Sequence, residues 1–145
     1  MLSVSTRYQR SRGVFRGLLL LTWMSFIYAL SSIPGSGSNY DPPFWYVIER
    51  KSAHVFEFAV LTWLMFWFLR VWFRKQSQVK QMIIVSWMFA FSYGAIDELH
   101  QAFVFGRGSH FSDVLIDVLG ASIASVVLIL VLRVPRLKKL QKVLY

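Results

Sequence analysis

The sequence predicts an all-α integral membrane protein: a bundle of four transmembrane helices with both termini in the cytoplasm. Apolar residues make up 56% of the 145 residues, which is more than a soluble domain of this length can bury. They are gathered into four runs, each close to the ~20 residues that a helix needs to cross the hydrocarbon layer. Most basic residues flank one set of ends of these runs, a pattern that fixes orientation.

The ends of the apolar runs bound the four predicted helices. We expect them over about residues 14–32, 53–73, 82–104 and 113–134, within one domain that spans residues 1–145. Backbone groups in lipid must be paired within their own segment, which favours helices over strands. The basic start of the first run is typical of a signal peptide. However, the run is long and no small-x-small cleavage site precedes Pro34, so we expect this helix to be retained.

Charge patterning predicts the topology. All seven acidic residues, and only three basic ones (Arg50, Lys51 and Arg107), fall on the side assigned to the exterior. The other thirteen Lys and Arg residues are assigned to the cytoplasm, including a tail from Arg133 to Lys142 that suits contact with anionic lipid. The formal charge of +9 is therefore interpreted as a topology signal and not as a nucleic-acid-binding surface. The absence of cysteine excludes disulfides and thiolate chemistry.

The two outer connections differ in composition. The first, Ser31–Lys51, is rich in Ser, Gly and Pro, and its aromatic residues 44–46 suit an interfacial anchor. The second, Phe105–Ser112, is short and contains Gly106-Arg107-Gly108, which predicts that helices three and four form an antiparallel pair.

Ionisable residues near the outer ends of three helices are the functional signal. Helical spacing puts each set on one face, and the sets are Lys51, His54 and Glu57 on helix two, Asp97, Glu98 and Gln101 on helix three, and Asp113 and Asp117 on helix four. At 1.5 Å per residue the carboxyl groups within the helices lie about one to two turns deep. Because lipid does not accept such groups cheaply, we expect them to converge on a shared polar pocket.

The residue types in this cluster suggest roles. We expect acid–base chemistry from His54, Asp97, Glu98, Asp113 and Asp117, and substrate binding by Lys51, Glu57, Gln101 and Arg107. The acids outnumber the bases, so some carboxyl groups should be protonated, paired with His54 or His110, or bound to a cation. Arg107 suits either a clamp on phosphate or carboxylate or a partner for Asp113. Neither a metal nor a cofactor is specified.

Three motifs together resemble the VanZ-like membrane proteins. They are Lys51-x-x-His54, Asp97-Glu98-x-x-Gln101-x-Phe103 followed by Gly106-Arg107, and Asp113-x-x-x-Asp117-x-x-Gly120. The resemblance covers about residues 31–120, and the family commonly has Asn at the position of Asp117. It implies a multi-pass protein of the bacterial cytoplasmic (inner) membrane, in a cell-envelope setting associated with resistance to glycopeptide antibiotics such as teicoplanin.

Two classes of function fit these observations. In the first, an outward-facing pocket binds or modifies a lipid-linked or cell-wall-related envelope molecule. In the second, the chain is a non-enzymatic small transporter, or an accessory subunit whose charges form an ion-pair network, and an oligomer would suit a transporter this small. No nucleotide-binding glycine loop, zinc-protease helix motif or serine nucleophile elbow is present. The sequence leaves open whether the protein is an enzyme.

Overall fold

The computed structural model describes residues 4–35, 43–73, 75–108 and 110–134, and these form four long helices. The helices are α1 (Val4–Ser31), α2 (Phe44–Trp72), α3 (Val79–Gln101) and α4 (Phe111–Arg133), with a short 3-10 turn at Gln76–Gln78. The described ranges contain no strand, and each of the four helices is long and apolar enough to span a membrane. The all-α four-helix prediction is therefore confirmed. The tail expected to contact anionic lipid lies outside the described residues beyond residue 134.

Helix α2 begins earlier than the sequence predicted. Its first residue is Phe44, not a residue near Ala53, so the aromatic residues 44–46 form the first helical turn and do not belong to a connection. Pro43 precedes this turn as its N-cap, and a proline there sacrifices no helical hydrogen bond. With 29 residues, α2 is about 43 Å long. Because this exceeds the hydrocarbon thickness, its ends extend into the headgroup region or the helix tilts.

The helices run alternately up and down, which sorts their termini into two groups. We call the "polar end" the end of the bundle where α1 and α3 finish and α2 and α4 begin, and the "basic end" the opposite one. Gly106 makes the tight α3–α4 turn with a positive φ of 72°, a conformation that glycine adopts without steric cost. All acidic residues that the structure describes belong to the half of the bundle nearer the polar end.

Helix α2 lies at the centre of the bundle and packs against the other three helices. Helix α3 also packs on α4, whereas α1 lies along α2 and contacts α3 over a smaller length. The α2–α4 contact is close because Gly120 faces the backbone of α2, and a Cβ at this position would overlap the carbonyl group of Val55. This close approach sets the register of the polar residues that face each other near the polar end.

Apolar side chains fill both the interior and the outer surface. Phe58, Leu61 and Ala90 form part of a core that is closed to solvent, and Phe66 and Leu128 belong to a second cluster nearer the basic end. Many large apolar side chains point outward, and examples are Val14, Leu18, Leu21, Ile96, Leu115, Val126 and Leu130. A surface of this kind is suited to contact with lipid chains.

Candidate functional site

Two pairs of polar side chains join α2 to α4 at the polar end. Lys51 Nζ lies 3.5 Å from Asp113 Oδ1, and His54 Nδ1 lies 3.0 Å from Asp117 Oδ1. Both pairs follow from helical spacing, because the partners advance by three residues on α2 and by four on α4, about one turn in each case. The first pair is exposed to solvent, whereas the second lies deeper, where the side chain of Asp117 is completely buried.

The His54–Asp117 pair connects the surface of the bundle to its interior. The His54 side chain keeps 16% of its surface accessible, whereas Asp117 keeps none. The second carboxyl oxygen of Asp117 has no hydrogen-bond partner among the described residues. It lies against Gly94, where a Cβ would approach Oδ2 to 2.8 Å. Glycine on α3 therefore makes the room that this carboxyl group occupies.

Asp97 has a different environment, because one of its two hydrogen bonds joins α3 to α1 and the other lies within α3. Its Oδ2 accepts hydrogen bonds from Ser31 Oγ and from Gln101 Nε2, each at 2.8 Å. All three side chains are buried. A few residues away, Ser32 Oγ lies 3.0 Å from His100 Nε2, and the His100 ring stacks on Tyr28. These contacts connect the end of α1 to the end of α3.

The connection after α3 contributes Arg107, whose guanidinium group caps the end of α1. Its Nε and Nη2 donate hydrogen bonds to the carbonyl oxygens of Ile33 and Leu30, at 3.0 and 2.9 Å. Carbonyl groups at a helix C-terminus lack partners within the helix and carry partial negative charge. The predicted alternative in which Arg107 pairs with Asp113 is therefore wrong, since Lys51 makes that pair.

Glu98 also forms a hydrogen bond at this end of the bundle. Its Oε2 accepts a hydrogen bond from the backbone N–H of His110 at 3.2 Å. The carboxyl group thus fixes the residue that immediately precedes α4. The sequence suggested His110 as a partner for a carboxyl group, and the contact is made by its main chain and not by its imidazole ring.

Two cavities open beside this network, and both reach His54. One has a volume of about 310 Å³ and lies between the first turns of α2 and α4, where Arg50, Lys51, His54 and Asp113 line it. We call this the α2–α4 cavity. The other, the α1–α2 cavity, has a volume of about 230 Å³ and is lined by Arg50, His54, Glu57 and Arg107 together with the end of α1. Volumes near 300 Å³ are at the lower end of those that hold small molecules.

The structure brings most of the predicted site residues together at the polar end, but some line a cavity and others are buried. Five of them line at least one of the two cavities: Lys51, His54, Glu57, Arg107 and Asp113. The cavities are also lined by Tyr46 and Arg50, which the sequence analysis did not assign to the site. Asp97, Glu98, Gln101 and Asp117 are buried behind this wall. The signal that could have found Tyr46 and Arg50 is their spacing of eight and four residues before His54, which puts them on the same helix face.

The geometry supports proton transfer at His54. His54 Nδ1 contacts Asp117, the described residues form no hydrogen bond to Nε2, and the residue lines both cavities. A buried carboxyl group behind an imidazole orients the ring and stabilises its charged form. Among the described residues, no group of three or more metal-binding side chains has the geometry to hold a metal ion.

Fold and site together define a four-helix membrane protein with a polar network at one end of the bundle. The family model described as VanZ/LLP1 matches residues 3–133. Because the match spans most of the sequence, the chain belongs to the VanZ/LLP1 family, as the three sequence motifs predicted. The searches found no match among curated proteins or solved structures.

Proposed function

We propose that this protein binds a lipid-linked or cell-wall-related envelope molecule at the polar end and exchanges a proton with it through His54. In this proposal Asp117 orients the His54 ring and stabilises its protonated form. Lys51 and Arg50 provide positive charge beside the reacting group. The link to glycopeptide resistance that the family resemblance implies is part of the same proposal.

The observation that carries the proposal is the position of His54. Its ring is part of the wall of both cavities and contacts a fully buried carboxyl group at 3.0 Å. A carboxyl group at this depth in a membrane helix is costly, and such groups are typical of functional sites. An acid–base pair at the boundary between a cavity and the interior is a common arrangement at functional sites.

The orientation and location are also part of the proposal. With thirteen basic residues assigned to the cytoplasm, the positive-inside rule puts the basic end inside and the polar end outside. Between Lys51 and Arg70, α2 rises about 28 Å, which is close to the hydrocarbon thickness. The two cavities would then open near the outer headgroups of the bacterial cytoplasmic membrane, where lipid-linked envelope molecules are found.

Susceptibility to teicoplanin tests the proposal in cells. A strain that lacks the protein would receive the wild type, His54→Gln or Asp117→Asn, with membrane levels measured by immunoblotting. His100→Gln is the matched control, since it removes a histidine that contacts α1 and lines neither cavity. We expect both site variants to lose protection at normal protein levels, while His100→Gln retains it.

Two results would contradict the proposal. Full protection by His54→Gln at the wild-type protein level would remove His54 from the function. A wild type that gives no protection would remove the link to glycopeptides, and native mass spectrometry of the purified protein would then test the binding claim alone. The absence of any co-purified envelope molecule from the wild type would count against binding.

A structural role is the second candidate function, and one observation favours it for part of the network. Asp97 and Arg107 make hydrogen bonds that join the end of α1 to α3 and to the connection after it, and Gln101 donates to Asp97 within α3. Asp97 and Gln101, which line neither cavity, would then hold the bundle together and would not contact a ligand. The transporter alternative requires a path across the bundle, and an oligomer stays a prediction for either class.

A further inference from the structure

The α1–α2 cavity has an unequal distribution of charge along its wall. Arg50 and Arg107 lie towards its outer part, and Glu57 lies on the same side of α2 but further from the helix start. Between Arg50 and Glu57, α2 rises about 10 Å. A molecule that contacts both residues would carry groups of different charge at points that are separated along the axis of α2.

Arg50 is the residue at the polar end best placed to recognise an anion. Lys51 is paired with Asp113, and Arg107 donates to two carbonyl oxygens. Arg50 is exposed, lines both cavities and makes no hydrogen bond or ion pair with the described residues. Its planar guanidinium group matches the oxygen geometry of phosphate and carboxylate.

Arg107 adds a second positive charge to the same cavity. Burial lowers the pKa of Arg107 below its ordinary value, and the nearby charge of Arg50 lowers that pKa further. Two guanidinium groups that repel each other across a cavity favour an anion between them. Phosphate monoesters carry up to two negative charges at neutral pH, so they match this pair better than a single carboxylate does.

Glu57 marks the inner part of the cavity. Its side chain is only 7% exposed, and the carboxyl group has no hydrogen-bond partner within the described ranges although it lines the cavity. Its carboxyl oxygens are not among the fully buried unpaired atoms of the described residues, so they are accessible from the cavity. An amine or hydroxyl group of a ligand in the cavity would donate to this carboxyl group, and His54 lines the same cavity.

We infer that the α1–α2 cavity binds a molecule with a phosphate group at Arg50 and Arg107 and a hydrogen-bond donor, preferably an amine, at Glu57. The inference rests on the proposed function, in which the polar end binds an envelope molecule, and it adds the chemical class of that molecule. The order of the groups matters. The donor lies nearer the middle of the bundle than the phosphate, so the ligand enters with its amine first.

Binding of small probes to the full-length protein in detergent tests the inference. The probe with both groups is 4-aminobutyl phosphate, and butyl phosphate and butylamine each lack one of them. Measured by isothermal titration, the complete probe should bind the wild type at least about tenfold more tightly than either partial probe. No saturable binding of the complete probe below about 10 mM would overturn the inference.

Variants identify which residue recognises which group. Arg50→Gln should weaken both phosphate probes about tenfold, whereas Glu57→Gln should reduce the advantage of the complete probe over butyl phosphate without changing butyl phosphate itself. Lys75→Gln removes an exposed cation near the basic end, and Glu49→Gln removes an exposed acid on α2. Both controls should bind like the wild type, and equal losses in site and control variants would refute the assignment.

The source of the phosphate group is tested in nanodiscs. If phosphatidylglycerol competes with the probe and phosphatidylcholine does not, the natural ligand is an anionic lipid head group; if neither competes, it is a water-soluble phosphate. Either result supports the phosphate assignment. If the probes do not bind but protection against teicoplanin still depends on His54, this inference is refuted and the proposed function is not. If the probes bind as predicted but the His54→Gln variant still gives full protection, the proposed acid–base role is refuted and this inference is not.

Discussion

Replacing Asp97 with alanine removes the acceptor of two buried hydrogen bonds. Ser31 Oγ and Gln101 Nε2 both donate to the same carboxyl oxygen at 2.8 Å. The two donors would remain in a buried environment, because Ser31 is 3% exposed and Gln101 is 1% exposed. The change therefore tests whether Asp97 holds α1 against α3.

The expected loss follows from the number of groups left without partners. A buried polar group without a partner costs about 1–3 kcal/mol, whereas hydrogen bonds between membrane helices average about 0.6 kcal/mol. With two donors affected, we expect Asp97→Ala to reduce the free energy of unfolding by about 2–3 kcal/mol. Asp97→Asn retains an acceptor oxygen and should cost about 1 kcal/mol or less.

The assay is unfolding by SDS in mixed micelles, followed by circular dichroism. Ser92→Ala is the matched control because Ser92 is exposed and bonds only to its own helix, and its effect should stay within about 0.5 kcal/mol. In a double-mutant cycle, Ser31→Ala and Asp97→Ala should couple by about 1 kcal/mol. An Asp97→Ala protein as stable as Ser92→Ala would refute the assignment of Asp97 to helix packing.

Three further predictions concern packing, ion pairing and topology. Gly120→Ala should lower the free energy of unfolding by about 1–3 kcal/mol, measured in the same assay, because its Cβ would overlap the backbone of α2. Lys51→Gln should change it by less than about 1 kcal/mol, since the pair with Asp113 is exposed, and a larger loss would mean that this pair is structural. The chain has no cysteine, so a single Gly108→Cys should react with a membrane-impermeant maleimide in intact cells, while Ser77→Cys should react only after lysis; the reverse pattern would invert the topology.

The four helices could be predicted because a membrane span is a local property of the sequence. A run of apolar residues with basic flanks identifies a helix without knowledge of its neighbours. The start of α2 was predicted too late because residues 44–46 are typical of an interfacial connection, whereas Pro43 allows a helix to begin there. Hydropathy marks helix ends in the headgroup region poorly, because that region accepts both polar and apolar side chains.

The cluster of polar residues could be predicted, but its pairing could not. Helical spacing assigns Lys51 and His54 to one face and Asp113 and Asp117 to another, yet the partners depend on how α2 crosses α4. That crossing is set by the contact of Gly120 with α2, which hydropathy does not reveal. The sequence analysis expected His54 to pair with a carboxyl group without choosing which one, and in the structure its partner is Asp117.

Photo-crosslinking in living cells tests binding at the polar end most directly. The photoreactive residue p-benzoylphenylalanine would replace Tyr46, which lines both cavities, or Trp72, which is exposed at the basic end. We predict that the protein labelled at position 46 forms an adduct with an envelope molecule that mass spectrometry detects, and that the protein labelled at position 72 forms adducts with bulk phospholipid only. The same adducts at both positions would contradict a binding site at the polar end.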